Sequence, residues 1–463
     1  MNRVRKNTKP TIPPTTAVDE LTMINPNAAG IDIGQASSWV SVPANRDPQP
    51  LRPFDMNTPD LIALADWLKA CGVTTVAMES TGVYWIPLYE ILEARGFKVY
   101  LVNARHAKNL PGRKKDETDA QWLRRLHTFG LLNNSFRPDG EMCAIRAYLR
   151  HRAELIEHRA AHTLREHMQK AMQQMNVRLS PTVTDITGVT GMAIIRAILA
   201  GERDPLKLAE LRNPCCAQPE SEFIKALTGN YRDEHVFALK QAVALYDCYT
   251  EQIRECDQEL ERKFSALKPV HHDDALPPLD TTDKRDTHSK NAPAYDGRRL
   301  LYQLLGIDLV AVHGLNEATA QTILSEIGTD MRRWSDDKHF CSWLSLAPHN
   351  DISGGKVLRS RILKTHNRAG QAFRMAAQAV ARTETAYGAY FRRMRAMHGP
   401  KKAIVATAHK IARAVYFMLR DHKPFDGASA ETYLKRERER EIARLEKRAT
   451  KLGYTLALVP VPA

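Results

Sequence analysis

The stretch AAGIDIG, Ala28 to Gly34, decides how the first third of the chain is read. It is a short apolar run interrupted by a single acid, Asp32, and closed by Gly34, the pattern of a buried strand that ends in a turn. SWVSV (Ser38 to Val42) alternates apolar and polar residues, and LRPF (Leu51 to Phe54) supplies a third strand signal. TPDLIALADWLKACG then carries a helical pattern, with Thr58 as N-cap and Gly72 as the stop. VTTVAMES is the next strand, VYWIPLYEILEARG the next helix and FKVYLVN a further strand. Three strands followed by alternating helix and strand predict a mixed α/β layer over residues 28–135.

Around that layer the bulk properties limit the partners. The 463 residues exceed one ordinary core, so more than one domain is expected. Lys plus Arg number 67 against 53 Asp plus Glu, a formal charge of +14, which favours a polyanion such as nucleic acid or an acidic membrane surface. The seven cysteines are scattered and contain no CxxC pair, which points to reduced thiols and away from a zinc ribbon. Residues 1–27 read as a basic, disordered arm with no apolar core of a signal or anchor. No apolar run is long enough to span a bilayer, so a cytoplasmic location and no membrane partner are expected.

Beyond Phe136 strand signals vanish and an all-α remainder is expected: a helical region over 136–268, a linker over 269–297, a helical domain over 298–430 and a charged helical tail over 431–463. From Val236 to Leu267 apolar residues recur at alternating spacings of three and four, broken only by Thr250 and Asp257. This is a heptad seam, which fits either a coiled-coil arm or an intrachain hairpin with the helical stretch 141–178. The linker holds His271, His272, Asp273 and Asp274, whose consecutive placement suits a solvated tract better than a metal site. Helices are expected over 368–396 and 401–421, and the alternating charges from Leu434 to Arg448 mark a solvated helix.

The acids carry the chemistry. Asp32 ends the first strand, Glu79 ends the fourth, and KKDETDAQWL (Lys114 to Leu123) places Asp116 and Asp119 at the start of a helical pattern. Acids at the ends of neighbouring strands meet at one edge, and a pair one turn apart on a helix shares a face, so the four can converge. Such a cluster stays ionised only with cations present, and oxygen donors suit Mg²⁺ or Mn²⁺. Each also has a structural reading: a turn residue at Asp32, a turn cap at Glu79, helix-dipole partners at Asp116 and Asp119. Together they fit a ribonuclease-H-like nuclease fold.

AGIDIGQASSWVSV, the stretch from Val76 to Ala120, and LAPHNDISGGKVLRSRILKTHNRAGQAFRMAAQAVARTETAYGAYFRRM closely resemble the DEDD transposases of one bacterial insertion-sequence family. The resemblance covers roughly residues 28–135 and 298–426 and is weak over 176–297. It implies a RuvC-like N-terminal domain, a C-terminal serine-bearing domain and, in some members, a bridge RNA that guides recombination. The family's acidic tetrad falls on Asp32, Glu79, Asp116 and Asp119, with Arg113, Lys114 and Lys115 beside an incoming phosphate backbone. Its nucleophilic serine falls on Ser353, in NDISGGKVLRSR.

Ser353 has a fitting neighbourhood. Gly354 and Gly355 let a phosphate approach the backbone, while Lys356, Arg359, Arg361, Lys364, Arg368 and Arg374 neutralise charge. Ser345 and Ser360 are competing hydroxyls, and a Ser-Gly-Gly sequence is also an ordinary turn. VHGLNEATAQTILSEIG reads as a helix-hairpin-helix in which Asn316 stands where a second glycine is common, or as a plain helical hairpin. The function expected is DNA strand exchange that mobilises an insertion sequence, in an oligomer of two or four copies, with DNA and a guide RNA as partners. A metal-dependent nuclease or junction resolvase that uses water, and so has no need of Ser353, is the alternative.

Overall fold

The computed structural model describes residues 22–103, 117–161, 167–270, 276–278, 290–362, 367–426, 430–455 and 457. They fall into two compact units, Met1–Arg137 and Pro138–Ala463.

The first unit is built on β1 (Ala28–Ile33), β2 (Ser37–Ser41), β3 (Leu51–Asp55), α1 (Thr58–Ala70), β4 (Thr75–Glu79), α2 (Trp85–Ala94), β5 (Lys98–Val102) and α3 (Asp119–Thr128). The strand order is β3-β2-β1-β4-β5; β1, β2 and β3 pair antiparallel, and β4 and β5 run parallel to β1. With helices on both faces, this is an RNase H-like sheet. Alternation along the strands sorts the side chains. Ala29, Ile31 and Ile33 of β1 join Val76 and Met78 of β4 and Val99 and Leu101 of β5 in one core with Leu61, Leu64, Leu68, Leu88 and Leu92 of α1 and α2. Ala77 faces the other way, against Trp122, Leu123 and Leu126 of α3.

Helix α3 approaches β1 closely because Gly30 has no side chain: a Cβ there would lie 2.3 Å from the Ala120 carbonyl oxygen and 2.3 Å from the Arg124 nitrogen. Near the start of β4, Thr75 Oγ1 and His127 Nε2 are 2.8 Å apart. The C-terminal turn of α3 therefore lies over the start of β4, and its N-terminus over the carboxyl ends of β1 and β4.

Two local readings shift. Helix α1 is preceded by Asn57 as N-cap, with Thr58 as its first residue. Of the expected N-terminal arm, residues 1–21 lie outside the described residues, while Ile24 and Asn25 are held by backbone donation of both N–H groups to the Thr128 carbonyl at 2.9 Å.

The second unit opens with α4 (Gly140–Ala160), α5 (Met168–Gln174), α6 (Val189–Leu199), α7 (Pro205–Glu210), α8 (Glu220–Leu227) and α9 (Asp233–Ala266). The heptad seam lies on α9 and is covered within the chain. Leu239, Ala242 and Val243 pack into a core with α5 to α8, and Ile253 and Cys256 pack with Leu155 of α4. Both polar seam residues meet arginines of α4: Asp257 accepts from Arg152, and Thr250 accepts from Arg159 at 3.3 Å. The intrachain hairpin is thus the observed partner of the seam. The helical stretch expected over 141–178 is divided into α4 and α5. Residues 290–297, at the end of the stretch read as a linker, are packed here too; Arg152 donates to the carbonyls of Asn291 and Ala292, and the Tyr295 hydroxyl donates to Gln321. His271 to Asp274 lie outside the described residues.

There follow α10 (Gly297–Leu305), α11 (Glu317–Ile327), α12 (Asp337–Trp343), β6 (His349–Ser353), β7 (Lys356–Arg361), α13 (Arg368–Ala379), α14 (Ala386–His398), α15 (Pro400–Asp421) and the charged tail helix α16 (Ala430–Lys451). Two strands therefore occur where only helix and loop were expected. The helix expected over 368–396 is broken by a 3₁₀ turn, Val380–Arg382, after which Thr385 restarts it by accepting from the Gly388 N–H at 3.2 Å. Asn316 is extended (φ −110°) and caps α11, accepting from the Thr319 N–H at 2.9 Å, so it is not a left-handed turn residue. All seven cysteines are free. Among the described residues no helix is long and apolar enough to cross a membrane.

Candidate functional site

Two of the four sequence-chosen acids, Asp32 and Glu79, end adjacent strands of the first unit, and a third, Asp119, opens α3. Ile31 and Met78 are partners across the parallel pair β1–β4, so Asp32 and Glu79 follow side by side at the carboxyl ends of their strands. Both sit on the face of the sheet that α3 covers, opposite to Ile31 and Met78. Asp32 is partly exposed and Glu79 is buried, at 5% exposure. Asp119 is the first residue of α3, at the end of the helix directed toward those strand ends.

The start of α3 is fixed by a capping box. Thr118 Oγ1 accepts from the Gln121 N–H at 3.3 Å, and Gln121 Oε1 accepts from the Thr118 N–H at 3.1 Å. The intervening acid Glu117 is paired with Arg125 at 2.9 Å, with both side chains nearly buried, and the Arg125 guanidinium also lies 4.8 Å from the Trp122 ring centroid. The expected sharing of one helical face by Asp116 and Asp119 falls partly outside the described residues. Asp116 lies outside the described residues, as do Arg113, Lys114 and Lys115. Among the described residues, no group of three or more His, Cys, Asp or Glu is placed to hold a metal ion. The donors at the edge are all carboxylates, the oxygen type that fits Mg²⁺ or Mn²⁺.

The serine lies in the second unit. β6 and β7 form an antiparallel hairpin in which Ser353 is opposite Lys356, Asp351 opposite Arg359 and His349 opposite Arg361. Its two-residue turn is Gly354 (φ +55°) and Gly355 (φ +74°), the left-handed pair that a tight hairpin requires. Ser353, the turn and all of β7 are exposed, so the hydroxyl stands at an accessible tip with a lysine across the ladder. A register irregularity between Asp351 and Ile352 separates the tip from the foot.

The candidate cations divide. Lys356, Arg359, Arg361 and Arg368 are exposed, and Lys364 lies outside the described residues. Arg374 does a structural job: it is half-buried and donates to the Ser345 carbonyl at 2.8 Å, and burial holds its pKa below the ordinary arginine value. Ser345 is itself buried, at 5% exposure, with φ +56°, which removes it as a competing surface hydroxyl. Ser360 remains exposed on β7.

Sequence reasoning passed over a basic face of α15. Lys402, His409, Lys410 and Arg413 follow one another at offsets of seven, eight and eleven from the first, a one-sided helical spacing that was legible in KKAIVATAHKIAR. They line a cleft together with Arg361 of β7.

Comparison with known families gives two matches. Residues 29–176 match a family model of the DEDD IS110 type, described as a transposase, and residues 309–392 match the model described as the transposase IS116/IS110/IS902 family. No curated protein matches the chain.

Proposed function

Since the chain belongs to the IS116/IS110/IS902 family of transposases, and its matched stretches carry the acidic edge and the serine hairpin, we propose that it cuts and rejoins DNA through Ser353 with Asp32, Glu79, Asp116 and Asp119 as metal ligands. The observation that carries this reading is the adjacency of Asp32 and Glu79 on parallel strands beneath the helix that starts at Asp119. Neighbouring carboxylates at the ends of parallel strands offer oxygen donors of the type that hard divalent cations take. A divalent cation held there, Mg²⁺ or Mn²⁺, supplies stabilisation of the charge that builds on the scissile phosphate.

The serine does the exchange. Its Oγ attacks phosphorus, an Oγ–P bond forms, and the bond from phosphorus to the leaving deoxyribose oxygen breaks, with the hydroxyl proton ending on that oxygen. A deoxyribose hydroxyl of the second strand then reverses the step, releasing serine and restoring a phosphodiester. Lys356, opposite the serine, and Arg359 and Arg361 farther along β7 offset phosphate charge. Following the family resemblance, acids of one subunit act with the serine of another, in a dimer or tetramer, on DNA selected by a bridge RNA.

Trapping the covalent intermediate tests this. Purified protein, Mg²⁺ and element-end DNA, denatured during reaction, should give a protein–DNA adduct that Ser353→Ala and Asp119→Asn abolish and that chelation prevents. DNA cleavage without an adduct, undiminished in Ser353→Ala, would mean hydrolysis by water and would overturn the serine assignment.

A further inference from the structure

At the foot of the serine hairpin a cleft of about 600 Å³ opens between the end of β7, α14 and α15. Arg361, Lys402, Lys410 and Arg413 line it with His398 and His409, and among the described residues no carboxylate is part of its wall. Two of the cations have contacts that position them: Arg413 pairs with Asp337 of α12, and the Lys410 ammonium lies 4.4 Å from the ring centroid of Tyr390, a residue of the same wall. Burial, followed by the charge of Arg413, lowers the His409 pKa, so this imidazole is neutral near pH 7 and adds a hydrogen-bonding group rather than charge. Leu346, Val405 and Met394 supply apolar walls. A concave site with several cations, neutral imidazole and apolar surface suits a phosphodiester with its attached sugar far better than a free cation or an acidic-face protein.

Its position relative to Ser353 adds a second constraint. Lys356 is opposite Ser353 at the tip, and Arg361, opposite His349, is at the foot. The intervening strand spans roughly 17 Å at the usual rise of an antiparallel strand. That is on the order of five steps of a DNA strand at duplex rise.

Resting on the serine reading above, we propose that this cleft is a second DNA site, which grips a phosphate of the strand held at the hairpin tip and so sets the register of that strand at Ser353. Lys402 and Lys410 provide the phosphate contacts from α15, and Arg361 links the cleft to the hairpin.

The test uses the full-length protein and three fluorescein-labelled probes of one sequence: single-stranded DNA, duplex DNA and single-stranded RNA. Binding is measured by anisotropy across a salt series for wild type, Lys402→Ala/Lys410→Ala and, as a charge-matched control on helices that contribute no residue to the cleft, Lys225→Ala/Lys240→Ala. Both cleft lysines are exposed on α15, so unchanged circular dichroism and thermal midpoint will exclude unfolding. The cleft variant is expected to reduce the slope of log K against log salt by about 1.5 on either DNA probe, since each phosphate contact contributes about 0.7–0.9. The control should leave the slope unchanged. An unaltered slope on both DNA probes, an equal fall in the control, or a fall larger on RNA than on DNA overturns the proposal. Ser353→Ala should keep the wild-type slope, so failure of the adduct experiment and failure of the cleft are separately visible.

Discussion

The guanidinium of Arg152 holds Asp257 with two hydrogen bonds, of 2.6 Å from Nε and 3.1 Å from Nη2, in a seam where both side chains are buried. The same arginine reaches the carbonyls of Asn291 and Ala292, so one residue ties α4, α9 and the segment before α10. Truncating one partner strands the other charge in a low-dielectric seam. Arg152→Ala is expected to destabilise the second unit by about 3–5 kcal/mol. Replacing both, as Arg152→Met with Asp257→Leu, should recover most of that loss. Urea unfolding followed by tryptophan fluorescence and by circular dichroism checks it; a cost below about 1 kcal/mol for the single variant would show that the pair is solvated in solution.

Gly30 is the point at which the sheet admits α3. A methyl group there meets backbone atoms of Ala120 and Arg124, which cannot swing aside as a side chain does. Gly30→Ala must therefore push α3 outward, at about 1–3 kcal/mol, and carry Asp119 with it. Thermal unfolding should show the destabilisation, and adduct formation should fall more than stability does. Normal adduct yield from a destabilised Gly30→Ala protein would detach the position of Asp119 from catalysis.

His127 makes the first unit acid-sensitive. Burial, then the nearby charge of Lys98, pushes its pKa down to about 4, and the ring shares a hydrogen bond with Thr75. In the unfolded chain the same imidazole titrates near 6.5. Above that pH both states are neutral and the histidine imposes no penalty; between 6.5 and 4 the unfolded state binds a proton that the folded state refuses. Stability is thus lost as pH falls through this window, by on the order of 3 kcal/mol in all. His127→Gln should flatten that part of the profile, measured as the difference between the two proteins in urea midpoints at pH 7.5 and pH 5. Parallel profiles would show that the ring is protonated in the folded protein.

Periodicity made the first unit legible. Ala28 to Ile33 and Thr75 to Glu79 are apolar on both faces because helices cover both, and Asp32 and Glu79 stand out as the acids that such runs do not otherwise tolerate. Asp119 was harder to place, since the capping box of Thr118 and Gln121 decides that the helix starts there. The β6–β7 hairpin escaped notice for the opposite reason. β7 is exposed throughout, so its sequence lacks the alternation that burial of one face imposes, and Gly354-Gly355 was its single signal. Thr250 and Asp257 looked like faults in a seam because their arginine partners, Arg159 and Arg152, lie about ninety to a hundred residues earlier in the chain. Local spacing carries no information on contacts of that range.

The glycine pair of the hairpin makes a last prediction. Gly354 and Gly355 both occupy left-handed backbone, which a β-branched residue adopts only at a cost of roughly 1–2 kcal/mol. Gly355→Val should therefore loosen the tip, while Gly354→Asn, whose side chain tolerates that conformation, should preserve it. Because β7 is exposed along its length, little of the core depends on the turn, and the thermal midpoint of the whole chain should move only slightly in either variant. If Ser353 works from a fixed hairpin tip, a loss of about 1.4 kcal/mol in the ordered tip lowers the single-turnover rate of adduct formation about tenfold in Gly355→Val, with Gly354→Asn near wild type. Equal rates in all three proteins would show that the serine does not depend on the turn that presents it.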